Sequence, residues 1–160
     1  MSIPNARLIT ANFSLREMTH SDIAAREGIK NVPNEKQLAA LTALCENVLQ
    51  PLRDHLGVPV RVSSGFRSRA LNSHKEVGGA PNSQHLRGEA ADIHAKGYTA
   101  NELFHLILLS GIEFDQVIEE FGEWVHISYT TRRKNRQSAV IATRRKDGSA
   151  KYTRLNNNKK

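Results

Sequence analysis

Apolar residues recur at three- and four-residue steps through Leu38, Leu41, Cys45, Val48, Leu49, Leu52 and Leu56. That spacing lines one face of a helix. Asn34, with Gln37 three residues on, supplies a capping-box start, and Gly57 supplies a stop. Pro51 falls inside the run and lacks a backbone N–H, so the helix should kink or split there. Thr99-Ala100-Asn101-Glu102 is a second capping box; its helix runs to Ser110, with Gly111 as stop. Ser14-Leu15-Arg16-Glu17 has the same spacing and predicts a short helix. Ser21 and Asp22 begin another, ended by Gly28. Arg69–Glu76 reads as one more, closed by Gly78-Gly79.

Elsewhere the period changes to two. Val58, Val60 and Val62 alternate through Val58–Ser63, a strand pattern. Glu89–His94 reads as a short strand after a turn-rich loop over Pro81–Gly88. Asp115–Glu120 and Glu123–Tyr129 read as two strands joined around Phe121-Gly122, a hairpin. Ala139–Thr143 predicts a further strand at a sheet edge. Helices lead and strands mixed with helices follow. The expected class is α+β: a small, mostly antiparallel sheet packed against N-terminal helices, not a doubly wound sheet.

A chain of 160 residues predicts one domain with a real core and no need of disulfide staples. Cys45 is the only cysteine, which excludes an internal disulfide framework and a multi-cysteine zinc site; it should be a small buried apolar residue. The greasiest stretch, Leu103–Leu109, carries His105 and is too short to span a membrane. Met1–Leu15 has no basic start followed by an apolar segment, so no signal peptide is expected and the protein should be cytoplasmic at synthesis.

The net charge of +7 is unevenly placed. Residues 132–160 hold eleven Lys/Arg against the single acid Asp147, whereas residues 1–131 carry −3. The expected organisation is therefore a single domain over 1–131 and a basic extension over 132–160. That extension would hold one edge strand and then a disordered tail, frayed at Asn156–Lys160. Such an end suits a polyanion or simply keeps the chain soluble.

Seven histidines are present. His20 and His55 sit at predicted helix ends and His105 within a helix, all ordinary positions. Ser83-Gln84-His85-Leu86-Arg87-Gly88-Glu89-Ala90-Ala91-Asp92 is different. A His and an Asp at this spacing can converge on one metal if a loop turns into a strand, and zinc accepts imidazole and carboxylate ligands; the alternative is a loop histidine and a surface or turn aspartate. A catalytic zinc takes three protein ligands and one open position. Glu123-Trp124-Val125-His126 offers the third in His126, with Glu123 as a general base. On a regular strand Glu123 and His126 face opposite sides. Both reach one site only if the strand begins after Glu123 or bends there. His94, which shares strand parity with Asp92, and His74 are rivals. No HExxH motif is present.

Taken with Ser63-Ser64-Gly65-Phe66-Arg67-Ser68, these segments resemble the zinc D-Ala-D-Ala carboxypeptidase family. That family includes peptidoglycan peptidases and phage endolysins, and its fold is related to the hedgehog signalling domain. The resemblance runs from about Phe13 to Tyr129. It implies one zinc ion held by His85, Asp92 and His126. It also implies Glu123 as catalytic base, Arg67 as the group binding the substrate carbonyl, and Ser83 and Trp124 as substrate contacts. The implied substrate is a peptidoglycan stem peptide, and the implied reaction is D-Ala-D-Ala carboxypeptidase hydrolysis in a phage or prophage lysis enzyme. An L-Ala-D-Glu endopeptidase uses the same metal set, and a non-catalytic zinc-binding module is the further alternative. The basic end is outside this pattern and would meet an anionic cell-wall polymer. No nucleic-acid partner is expected, since no zinc-finger, helix-turn-helix or aromatic-platform pattern is present. A monomer is expected.

Overall fold

The computed structural model describes residues 7–155. Strands β1 (Leu8–Thr10) and β2 (Phe13–Ser14) pair antiparallel and lead into helix α1 (Leu15–Thr19). Ser14 caps α1 by accepting from the Glu17 N–H. The return half of the predicted box is replaced: the Glu17 carboxylate accepts from the Val62 N–H instead, tying α1 to the sheet. Helix α2 (Asp22–Glu27) is capped by Ser21 and ended by Gly28 in the left-handed region at φ 68°.

Helix α3 (Glu35–Leu44) starts with both halves of the Asn34/Gln37 capping box. A π-turn over Cys45–Leu49 then joins it to α4 (Gln50–Leu56) without a break. The wider turn puts Pro51 in the first turn of α4, where its missing N–H costs nothing. The expected interruption is thus absorbed as one wide turn. Cys45 lies in it, fully buried, and burial pushes its thiol up to about 12.

Strand β3 (Val60–Ser64) begins a six-stranded sheet. The next helix, α5 (Arg69–Asn72), is half the predicted length. The Pro81–Gly88 segment holds a 3-10 turn over Gln84–Arg87. Then come β4 (Ala90–Ala95), α6 (Ala100–Ser110), β5 (Gln116–Glu120), β6 (Trp124–Ser128), β7 (Ser138–Arg144) and β8 (Ala150–Arg154). The sheet order is β3-β4-β6-β5-β7-β8, antiparallel throughout except for the parallel β5/β7 pair. This is the expected α+β class, with a mostly antiparallel sheet against helices.

The register separates two faces. One presents Val62, Ile93, Ala91, Val125, Ile127, Val117 and Ala139 to the helices, where Leu41, Leu44, Val48, Leu52, Leu103, Phe104 and Ile107 complete a single core. The other carries a row running straight across the sheet: Ser64, Asp92, His126, Ile118, Val140 and Arg154. Ser64 joins that row only because β3 bulges between Val62 and Ser64, where two residues oppose one and the parity flips.

The C-terminal expectation needs correction. The strand at 138–144 is interior, flanked by β5 and β8, because its backbone groups pair on both sides. The edge is β8, in a stretch expected to be a tail. Three of the basic residues before them, Arg132, Arg133 and Arg136, are ion-paired. Arg133 and Arg136 fork onto the buried Asp115 carboxylate at 2.7–3.1 Å. Arg132 forks onto the buried Glu89, which Gln84 and Thr130 also reach. Leu155 packs against the core, and Asn156–Lys160 lies outside the described residues. Among the described residues no helix is long and apolar enough to cross a membrane.

Candidate metal centre

His85, Asp92 and His126 converge, each offering a ligand atom within 4.8 Å of the others. Asp92 and His126 are direct cross-strand partners on β4 and β6, so their side chains rise from the same face side by side. The Asp92 Oδ1 lies 3.1 Å from the His126 Nδ1 and 3.4 Å from the His85 Nε2. His85 arrives from the 3-10 turn, whose start is fixed by the Ser83 hydroxyl accepting from the His85 N–H. The turn ends at Gly88, φ 74°, where a Cβ would run into the Gln37 carbonyl of α3.

The orientation of His85 is set from behind. Its Nδ1 lies 2.7 Å from the Gly65 carbonyl, which can only accept. The proton therefore sits on Nδ1, and Nε2 turns its lone pair towards Asp92. Gly65 in turn has no room for a side chain, since a Cβ would collide with the Met18 carbonyl oxygen.

Burial drives His85 towards its neutral form. Burial works against Asp92 as well, but the imidazoles of His85 and His126, when protonated, outweigh it and hold that carboxyl well below the usual range. Neutral imidazole and ionised carboxylate are the forms that bind a metal. Arg67 stands behind Asp92 with Nη2 3.4 Å from Oδ2. Its Nε donates to Ser64 and its Nη1 to Asn72. Three of its five N–H groups are thus engaged, leaving one free on each terminal nitrogen.

These groups line an open cavity of about 430 Å³. Arg67, Ser83 and Trp124 line it, as the sequence reading expected of substrate contacts. Glu123 does not: it sits exposed in the β5–β6 turn, before β6 begins. The carboxylate on the cavity wall is Glu120. It faces Trp124 across the hairpin, so it shares the face of His126. Burial raises its pKa above the ordinary value, with His126, Asp92 and Arg67 close enough to act on it. The turn that aims it holds Phe121 in the left-handed region at φ 58°. Arg144 lies 3.9 Å over the Phe121 ring and Trp124 meets it edge-on, contacts that fix this otherwise strained residue.

The sequence reading missed Glu120 because it sought the acid on the same strand as His126. Hairpin parity would have found it: a residue paired with Trp124 faces the side that His126 faces. His94 pairs with Arg61 and is outside the cavity lining. His74 joins Glu27 and Glu76 in a separate surface group, bridged by Arg26. Tyr152 and Arg136, from the far end of the chain, also line the cavity.

The donor set is two imidazoles and one carboxylate on rigid elements, with the cavity open on the remaining side. That composition fits a tetrahedral zinc ion with one exchangeable position. The sequence profile of the Peptidase M15 family matches residues 11–128, well over half of the chain. A search of curated proteins returned no match.

Proposed function

The chain belongs to the Peptidase M15 family, and from that premise we propose that it is a zinc-dependent peptidase hydrolysing a stem-peptide bond of peptidoglycan, of the D-Ala-D-Ala carboxypeptidase type. M15 enzymes are zinc-dependent metallopeptidases of peptidoglycan. The observation that carries the proposal is the His85–Asp92–His126 group sharing one cavity with Glu120 and Arg67.

His85, Asp92 and His126 would hold the ion. Bound zinc lowers the pKa of water to about 7 and polarises a carbonyl. Glu120 would accept the proton of the attacking water and return it to the leaving amine. Its half-buried setting suits that exchange, because a raised pKa brings it nearer the pH at which it works. The two free N–H groups of Arg67 would stabilise the carbonyl oxygen as it gains negative charge, worth about 3 kcal/mol for a well-placed donor. Ser83 and Trp124 would form the walls against the peptide.

Asn82 and Ser83 also border a second cavity. That adjacency favours a second reading, an L-Ala-D-Glu endopeptidase of the endolysin kind, since an internal bond needs room for chain on both sides. A non-catalytic zinc module has no use for Glu120 or for the free donors of Arg67. The hairpin of β7 and β8 carries Arg144, Arg145, Lys146, Lys151 and Arg154 against Asp147, which supports attraction to anionic wall polymers.

The test is mass spectrometry of the products from purified peptidoglycan, with and without a zinc chelator. Free D-Ala identifies a carboxypeptidase and a new D-Glu amino terminus identifies an endopeptidase. No chelator-sensitive release from any stem peptide would overturn the proposal.

A further inference from the structure

The second cavity, of about 510 Å³, is not used by the chemistry above. It begins where the metal cavity stops, at Asn82 and Ser83. Lys36, Arg69, Arg87 and Arg132 line it, against one carboxylate, Glu89. Glu89 is buried and fully engaged by Gln84, Thr130 and Arg132. Those two charges cancel. Lys36, Arg69 and Arg87 are left with no side-chain hydrogen bond or ion pair among the described residues.

The three are exposed, and as unpaired cations around one concavity they attract an anion that enters it. The lining also holds the apolar Ala39, Ala40 and Leu86. This combination suits a carboxylate carried on a short peptide. It does not suit a nonpolar ligand, which would leave the cations uncompensated. Because Asn82 and Ser83 border both cavities, a ligand held in one reaches the edge of the other.

We infer that the second cavity is a substrate subsite in which Lys36, Arg69 and Arg87 hold a free carboxylate of the peptide, away from the scissile bond. The inference rests on the peptidase reading and adds a specificity to it: the enzyme distinguishes stem peptides with free internal carboxylates from the same peptides with those groups amidated. Amidation keeps the shape and removes the charge.

The experiment compares kcat and KM of the full-length, zinc-loaded enzyme on matched free and amidated stem peptides. The proteins are the unaltered chain, the double variant Arg69→Gln/Arg87→Gln, and Arg16→Gln as a control that removes one positive charge from an exposed position on α1, outside the cavity lining. The unaltered enzyme should show a KM roughly three- to thirtyfold higher for the amidated peptide, the range expected of a few partly exposed ion pairs. The double variant should lose this discrimination, and Arg16→Gln should keep it. Arg69→Glu/Arg87→Glu, which turns the set of three from +3 to −1, should reverse it, a readout that a merely destabilised protein would not give. Equal discrimination in the double variant and the unaltered enzyme would overturn the inference. If neither peptide is hydrolysed, the peptidase reading fails, and calorimetric binding of the same peptides decides this inference separately. Tighter binding of the free form, lost in the double variant, sustains it; equal binding ends it.

Discussion

The proposed mechanism makes Glu120 the catalytic carboxylate in place of Glu123. Glu→Gln at each position keeps the side-chain volume and removes only the ability to take a proton. Loss of a positioned general base costs about 10²–10⁴-fold in rate. Glu120→Gln should therefore lower kcat on a stem peptide by that factor. Glu123→Gln, at an exposed turn residue outside the cavity, should stay within about threefold. Stability gives an independent readout. Burial raises the folded-state pKa of Glu120, so the folded protein holds that proton more tightly than the unfolded chain does. At neutral pH the ionised group consequently costs folding free energy. Glu120→Gln removes that cost, and the metal-free variant should melt no lower than the unaltered protein. Steady-state hydrolysis with calorimetric melting checks both at once. A large activity loss in Glu123→Gln with activity retained in Glu120→Gln would refute the assignment. Loss of activity with a collapsed melting temperature in Glu120→Gln would refute the stability argument.

Asp115→Asn should lower stability by about 2–3 kcal/mol, since it removes the charge onto which Arg133 and Arg136 fork. For a chain of this size that is roughly 5–10 °C of melting temperature by calorimetry. Asp115 and Glu89 are both held below the usual carboxylate range: burial opposes ionisation, but their arginine and hydrogen-bond partners outweigh it. Their contribution is present above the unfolded value near pH 4 and is lost as pH falls through the folded values. Melting temperature should therefore drop steeply on acidification below about pH 4, and less steeply in Asp115→Asn. Gly65→Ala should displace the carbonyl that orients His85 and weaken zinc binding about 10–100-fold, measured by competition with a chromogenic chelator. Deleting residues 132–160 should give unfolded or aggregated protein by circular dichroism, because it strips two buried carboxylates of their cations and uncovers β5.

Some of this was written plainly in the chain. The helix starts at Asn34 and Thr99 and the Phe121-Gly122 turn are local signals, and the structure has them where the pattern put them. The convergence of His85, Asp92 and His126 was readable because a turn and two neighbouring strands suffice to bring them together. Glu120 was not, because its role depends on the register of a hairpin and on which face of the sheet stays open. Pro51 showed only that something must give, not that a π-turn would absorb it. Strand β8 left no pattern, since four of its five residues are exposed and its place depends on backbone pairing with β7. The same holds for Arg132, Arg133 and Arg136: a run of cations looks like a solvated tail until the buried carboxylates they meet are known.

The pairing of β7 beside β5 also bears on how the protein is born. A chain is made from its N-terminus, and domains gain structure as they emerge. β5 and its hairpin partner β6 are complete well before residues 138–144 exist, so the nascent sheet has an open, hydrogen-bonding flank at β5 for the whole of that interval. Asp115 beside it waits uncompensated until Arg133 and Arg136 arrive. The wall that Tyr152 adds to the cavity comes later still. Synthesis order therefore keeps the cleft unfinished until residues 138–152 have been made, and the late segment that completes it carries the like charges that hold unfinished chains apart.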